Sequence, residues 1–451
     1  MILSIVVVAV TCLLMIVGVL FFPRIRIGRI KIDTYWVATL IGAAVILACG
    51  AVDIHTLGEA FLSNSAINPL KILVLFLSMT VLSVFLDELG FFGYLASKAL
   101  KHAVTGQKRL FFILYITVSA LTVFTSNDVI ILSFTPFICY FAKNAKINPM
   151  PYLAAEFVAA NTWSMLFIIG NPTNIYLATS YGLDFVSYLK TAVIPTILAG
   201  GTALAMLYLV YRKKLSAPIE SAHEDYKIDD RPLLTIGVIH LVVCTVLLAV
   251  SSYIKGLEMW IVSLSSVASL FLFSLIICLM RKFTPQNRNF CGDPGNKHQS
   301  GFSAIKGCLK RAPYPLIPFL ISMFILVEAL AENGVTHSIG LVLGSRYSIL
   351  TYGATSFLSA NLINNIPMSV LFAKIAADAN AGLYAVFAAI IGSNLGALLT
   401  PIGALAGIMW SNLLNDHGYK FSYKDFLKMG VMIALPTLCA ALGGLYLITV
   451  F

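Results

Sequence analysis

Charge is scarce in this sequence: 11% of its 451 residues are Asp, Glu, Lys or Arg, where soluble proteins carry about 25%. With 59% hydrophobic residues, no single soluble core could hide so much apolar surface, so lipid must be the solvent for much of the chain. Cysteine pairing is missing as well. Cys12, Cys49, Cys139, Cys244, Cys278, Cys291, Cys308 and Cys439 are scattered with no Cys-x-x-Cys pair, which gives neither a disulfide framework nor a zinc spacing. There is no G-x-x-x-x-G-K-[ST], no H-E-x-x-H and no G-x-S-x-G, so nothing points to an enzyme. Without a nucleotide site of its own, any energy-requiring work would need an ion gradient or a separate ATPase subunit. A potential of 100 mV supplies about 2.3 kcal/mol per charge moved.

What is present reads as a multi-pass protein of the cell membrane. The first twenty residues are apolar and precede, rather than follow, the bases at Arg24, Arg26, Arg29 and Lys31, the order of a retained first span rather than a cleaved signal peptide. Simple spans of about 20 residues are expected at 34–52, 191–211, 233–254, 259–280 and 429–451, with less pure ones at 70–86 and 312–327. The net charge of +10 is no nucleic-acid surface. Placing residues 24–31 in the cytoplasm puts all bases inside except Lys71, Lys190, Lys255, Arg346 and Lys374, as the positive-inside rule requires.

Some runs are not simple spans. Residues 110–142 carry one charge, Asp128, with bases beyond both ends. They are too short for two comfortable spans and predict a cytoplasmic re-entrant hairpin with its tip at Thr125, Ser126, Asn127 and Asp128. Residues 347–373 predict an outer re-entrant hairpin around Asn361, Asn364 and Asn365. Residues 157–183, interrupted at Gly170-Asn171-Pro172-Thr173-Asn174, predict a broken helix. So do residues 382–410, interrupted at Gly392-Ser393-Asn394 and Thr400-Pro401-Ile402-Gly403. Irregular backbone at membrane depth belongs where it is buried in protein or lines a cavity, which makes these breaks pointers to a transport site.

The letters repeat too. Leu77-Ser78-Met79 matches Ile321-Ser322-Met323, and Ser126-Asn127-Asp128 matches Ile363-Asn364-Asn365. Ala160-Asn161 matches Ser393-Asn394, and Pro195-Thr196 matches Pro436-Thr437. The expectation is an all-α polytopic membrane protein with about ten transmembrane helices, plus two re-entrant hairpins and two broken helices, in two inverted-topology repeats. The first repeat is 1–231, with a cytoplasmic linker at 212–231; the second is 232–451, with a cytoplasmic loop at 281–311. Residues 290–296 read as a flexible loop. Residues 90–101 and 335–343 read as short interfacial helices.

The sharpest feature is Thr125-Ser126-Asn127-Asp128, because a carboxylate at mid-membrane must pair, protonate or bind a cation. The bland reading is that Asp128 caps the returning helix. At Gly170, Asn171, Thr173 and Asn174, and at Asn161, Asn394, Thr400 and Gly403, amides and hydroxyls offer partners to a ligand or to freed backbone. Asn361, Asn364 and Asn365 would either bind ligand or hold helices together. A coupling Na⁺ would draw on Asn127, Asp128, Asn171 and Asn365; H⁺ is the other coupling ion, and no further cofactor is expected. His240 reads as a packed or hydrogen-bonded histidine. Asp87, Glu88, Glu328 and Glu332 read as solvated or paired acids near span ends.

These letters resemble the arsenical (arsenite/antimonite) efflux permeases, within the ion transporter superfamily that includes dicarboxylate and citrate carriers. The resemblance covers nearly the whole chain. It rests on Leu86-Asp87-Glu88-Leu89-Gly90-Phe91-Phe92, Ser126-Asn127-Asp128 with Thr135-Pro136, and Asn171-Pro172-Thr173-Asn174-Ile175. In the second half it rests on Asn364-Asn365-Ile366-Pro367 and Thr400-Pro401-Ile402-Gly403 with Trp410. It implies a homodimer in the bilayer, each protomer pairing a scaffold with a moving domain of hairpins and broken helices. The implied activity is ion-gradient-driven export of a small oxyacid or anion. A Na⁺-coupled dicarboxylate symporter and a Na⁺/H⁺ antiporter are the alternatives within the superfamily. In the arsenical permeases acids tend to occupy the positions of Asn161 and Asn394, and a Lys often stands near Leu399. Here both positions are amides and the Lys is missing, a pattern suited to Na⁺ coupling or a neutral oxyacid such as arsenous acid.

Overall fold

The computed structural model describes residues 1–22, 24–27, 30–63, 68–101, 106–216, 228, 230–283 and 301–450. The chain opens with α1 (Ile2–Phe21), a two-stranded hairpin of β1 (Arg24–Ile27) and β2 (Ile30–Asp33), and α2 (Thr34–Ala48). The short α3 (Ile54–Leu62) leads to α4 (Pro69–Glu88) and the brace α5 (Phe91–Lys101). A helical hairpin follows, α6 (Gln107–Phe124) and α7 (Asn127–Asn144). Then come α8 (Met150–Trp163), a 3-10 turn at Ile168–Gly170, α9 (Pro172–Ser180) and α10 (Phe185–Tyr211).

The same order then recurs. The long pair α11 (Arg231–Ser251) and α12 (Met259–Phe283) is followed by the short α13 (Gly301–Arg311), α14 (Leu316–Glu332) and the brace α15 (Val335–Leu343). A second hairpin, α16 (Ser348–Ile363) and α17 (Asn365–Asp378), precedes α18 (Leu383–Gly396), a 3-10 turn at Pro401–Gly403, α19 (Leu405–Asp416) and α20 (Tyr423–Val450). The protein is all-α and polytopic. Among the described residues eight helices are long and apolar enough to cross a membrane, and α2 and α18 are shorter apolar helices.

Local chemistry sets the boundaries. Asn68 caps α4, its Oδ1 accepting from the Leu70 N–H at 2.8 Å, with Pro69 at the first helical position, where its missing N–H costs nothing. Asp184 caps α10 in the same way, accepting from the Val186 and Ser187 N–H groups at 2.9 Å.

The helices pack as two bodies. In one, α2 lies on α14, and α11 and α12 lie on α4, so each long pair covers the repeat that is not its own. In the other, α10 lies along α20, α6 against α8, and α16 against α18. Here too the repeats exchange parts: α9 packs on α17 and α19 packs on α7. The fully buried Phe157, Trp410 and Phe426 lock α8, α19 and α20 together, with ring centroids 5.0–5.7 Å apart. Large apolar side chains on α1, α11 and α12, such as Leu13, Val246 and Leu272, point outward, the surface a bilayer covers.

Three sequence expectations need correction. The basic stretch after α1 forms the β-hairpin, pinned by an Arg24–Asp33 ion pair of 3.2 Å. Part of the expected loop 281–311 is the helix α13, which Arg311 ties to the end of α4 through Asp87 (2.6 Å) and Glu88 (2.8 Å). Gly392-Ser393-Asn394 does not interrupt a helix but lies within α18, against the backbone of α16, where Gly392 leaves no room for a Cβ. The expected flexible loop 290–296 and nearly all of the linker 212–231 beyond Ser216 lie outside the described residues. His240 is hydrogen-bonded, to the Ile236 carbonyl (2.8 Å) and to Ser269 (2.7 Å).

Candidate functional site

The first hairpin breaks at Thr125 and Ser126, between α6 and α7. Thr125 returns its hydroxyl to the Leu121 carbonyl (2.8 Å), while Ser126 is the N-cap of α7. The Asp128 N–H donates to Asn127 Oδ1 at 2.9 Å and to Ser126 Oγ at 3.3 Å. Capping therefore falls to its neighbours. The half-buried Asp128 carboxylate makes no hydrogen bond or ion pair among the described residues, and Tyr35 of α2 lies within its field. In the first turn of α7 the helix dipole favours its negative form, but no cation among the described residues pairs with it.

From the tip a chain of amides runs to the first break. Asn127 Nδ2 donates to Asn161 Oδ1 (3.2 Å), and Asn161 Nδ2 holds the Phe157 carbonyl (2.8 Å). Ser164, just beyond α8, donates to the Asn161 carbonyl and to Asn394 Oδ1, both at 3.1 Å. Asn394 is the hub. Its Oδ1 also accepts from Asn171 Nδ2 (2.9 Å), and its Nδ2 donates to Asn174 Oδ1 (2.6 Å) and the Ile390 carbonyl (2.8 Å). Asn174 Nδ2 in turn binds the freed Ser164 carbonyl (2.8 Å), and Asn171 Oδ1 caps α9 at the Thr173 N–H (3.2 Å). Gly170 allows this fold-back, because a Cβ there would strike the Ser164 carbonyl.

The second break is satisfied differently. Thr400 donates to Asn361 Oδ1 (2.6 Å), Asn361 Nδ2 to the Gly396 carbonyl (3.0 Å), and Asn364 Nδ2 to the Ile402 carbonyl (2.9 Å). Gly403 is required by close approach, a Cβ there lying 2.7 Å from the Gly396 carbonyl oxygen. Asn364 both ends α16 and caps α17 at φ +70°, a region that Asn tolerates better than other side chains. The expected residues thus fall into two clusters. Asn127, Asn161, Asn171, Asn174 and Asn394 form one, beside Asp128; Asn361, Asn364, Thr400 and Gly403 form the other. Asn365 is buried and its side-chain amide makes no hydrogen bond among the described residues. The buried hydroxyls of Thr162, Thr173 and Ser393 are also unpartnered.

Sequence reasoning missed one acid. Glu156 lies on α8, fully buried, its two carboxyl oxygens 2.8 and 3.0 Å from the Thr135 hydroxyl of α7. It stands one residue before the apolar run that begins at Phe157. Its signal is an acid among Ala and aromatic residues with no base three or four positions away. Glu328, one of the acids read as solvated or paired, pairs with Lys374 of α17 (3.0 Å), the two sitting where α14 of one body meets α17 of the other.

Helices of this length and hydropathy, packed around broken helices and hairpin tips, define a multi-pass membrane protein, and the family it falls in makes it a transporter of the plasma membrane. The chain belongs to the citrate transporter family, whose model (CitMHS) matches residues 2–389. An arsenical pump membrane protein of Escherichia coli is 26% identical over 431 residues, covering 91% of this chain and 93% of that one. The YdaH transporter of Alcanivorax borkumensis shares the fold, with a TM-score of 0.56 at 14% identity over 99% of this chain and 98% of that one. Neisseria gonorrhoeae MtrF, titled as one of a class of antimetabolite efflux pumps, shares it with a TM-score of 0.52 at 14% identity, over 98% and 93%.

Proposed function

We propose that this chain is a secondary carrier that moves a small oxyacid or anion across the membrane by alternating access, driven by an ion gradient, and not an enzyme. The observation that carries the reading is the amide network joining one hairpin tip, one helix break and Asn394 of the other repeat, beside an Asp128 carboxylate with no ion-pair partner among the described residues. A site of neutral donors and acceptors suits an uncharged metalloid oxyacid, the substrate class suggested by the arsenical pump relatives. Organic-anion symport is the second reading, supported by the family's description. It is second because neither Lys nor Arg is part of either polar cluster, and a multiply charged anion would be desolvated there without a cation. In this reading the carrier is a homodimer, and a separate ATPase subunit could supply the energy in place of the ion gradient.

Asp128 is the coupling residue in this reading, because protonation and cation occupancy compete for one carboxylate. Asp128→Asn keeps the shape, and amides already stand at the neighbouring Asn127 and at Asn161. In proteoliposomes, arsenite, antimonite and citrate are offered in turn under an imposed Na⁺ or pH gradient. The variant is expected to exchange substrate at equal concentrations and to lose gradient-driven accumulation. Undiminished accumulation by a well-folded Asp128→Asn protein would return this residue to a minor electrostatic role at the helix start.

A further inference from the structure

Glu156 is a second carboxyl that the carrier reading above does not use. Its surroundings are built for a neutral acid. An ionised carboxylate presents about four acceptor sites, yet among the described residues the donors turned to this one are the Thr135 hydroxyl, which is hydrogen-bonded to it, and the Trp410 indole. The indole N–H of Trp410 lies beside it, buried and without a hydrogen-bond partner. From α7 come Thr135 and Cys139, whose thiol shares its field. From α19 and α20 come Trp410 and Phe426, and from α18 the amide Asn394. Tyr115 of α6 and Tyr188 of α10 are committed to the Gly200 and Met165 carbonyls. No Lys, Arg or His among the described residues pairs with Glu156.

A protonated carboxyl is satisfied here with one partner, its O–H donating to Thr135 Oγ at the same distance. A Gln would serve equally well if the role were only to hold α7 to α8. The position links it to the site. Glu156 stands five residues before Asn161, which takes the amide of the hairpin tip, and Thr135 stands seven residues after Asp128, two turns along the same stripe of α7. A shift of α7 against α8 would part Glu156 from Thr135 and admit water to it.

We propose that Glu156 is a proton-binding site of the transport cycle, held as the neutral acid in the conformation described here and ionised when α7 and α8 separate, the proton leaving to water. The inference rests on the carrier reading, and its test has an arm that does not. Infrared spectra of the reconstituted protein at neutral pH are compared for wild type, Glu156→Gln and Asp128→Asn. A carbonyl band of a protonated carboxyl is expected in wild type and Asp128→Asn and missing from Glu156→Gln. A band that is missing from wild type, or that persists in Glu156→Gln, overturns the proposal.

The second arm uses arsenite as probe. A gradient of one pH unit sustains about tenfold accumulation per coupled proton. Glu156→Gln is expected to accumulate none of it, with exchange at equal concentrations preserved and the pH profile flattened. Accumulation and a pH profile like wild type would reduce Glu156 to a structural hydrogen bond and also overturn the proposal. If wild type moves no arsenite, the substrate reading fails while the infrared comparison still decides whether Glu156 holds the proton.

Discussion

Asn394 makes four side-chain hydrogen bonds with two atoms, and two of them are to the amides of Asn171 and Asn174 at the first break. Asn394→Ala would strand Asn171 Nδ2 and Asn174 Oδ1 in a buried site, at about 1–3 kcal/mol for each unsatisfied group. The purified variant is expected to melt several degrees below wild type in detergent, and an unchanged melt would show that the amides find other partners. Asn161 occupies the matching place in the first repeat but reaches Asn127 instead, because Ala404 and Gly407 stand where the second break would need amides. The candidate residues were legible as a set, since Asn, Thr and Gly interrupt otherwise apolar runs. Their division into two clusters was not, because hydrogen-bond partners more than 200 residues apart leave no trace in local letters. Glu156 was lost for a related reason: its meaning comes from its burial with no Lys, Arg or His among the described residues paired with it.

The helical hairpin α6–α7 turns at two residues, whereas α16–α17 turns on Asn364 alone. Hydropathy foresaw both breaks, as it foresaw α15 at Val335–Leu343, because polar letters inside an apolar run are costly unless the backbone changes there. It missed α13 and the β-hairpin. Both are polar enough to read as linkers, and their order comes from ion pairs, Arg311 with Asp87 and Glu88 and Arg24 with Asp33. The sidedness of α6–α7 is open to direct test. Single cysteines placed beside Arg109 and Lys143, near the hairpin's two ends, are expected to react with an impermeant thiol reagent from the cytoplasmic side only. Reaction from opposite sides would mean that the pair crosses the membrane an odd number of times, and the inverted-repeat topology would fall with it.

At the scale of the whole molecule, neither half keeps its parts to itself. The long pair that opens each repeat lies on the other repeat's scaffold helix, and the distal part of each broken helix lies on the other repeat's hairpin. This matters most while the protein is being made. When the ribosome has released the first 231 residues, α2 has no α14 and α9 has no α17, so the early chain waits in the bilayer with unfilled surfaces. Expressed alone, residues 1–231 are expected to insert but to be degraded quickly. Co-expressed with residues 232–451 as a separate chain, they are expected to be protected and to co-purify with them. Independent stability of the first half, measured as its half-life in a pulse-chase, would contradict the interlock. The same exchange bears on ancestry: two copies that trade helices this way work as a pair from the start, so fusion into one chain would have fixed their stoichiometry rather than created their contacts.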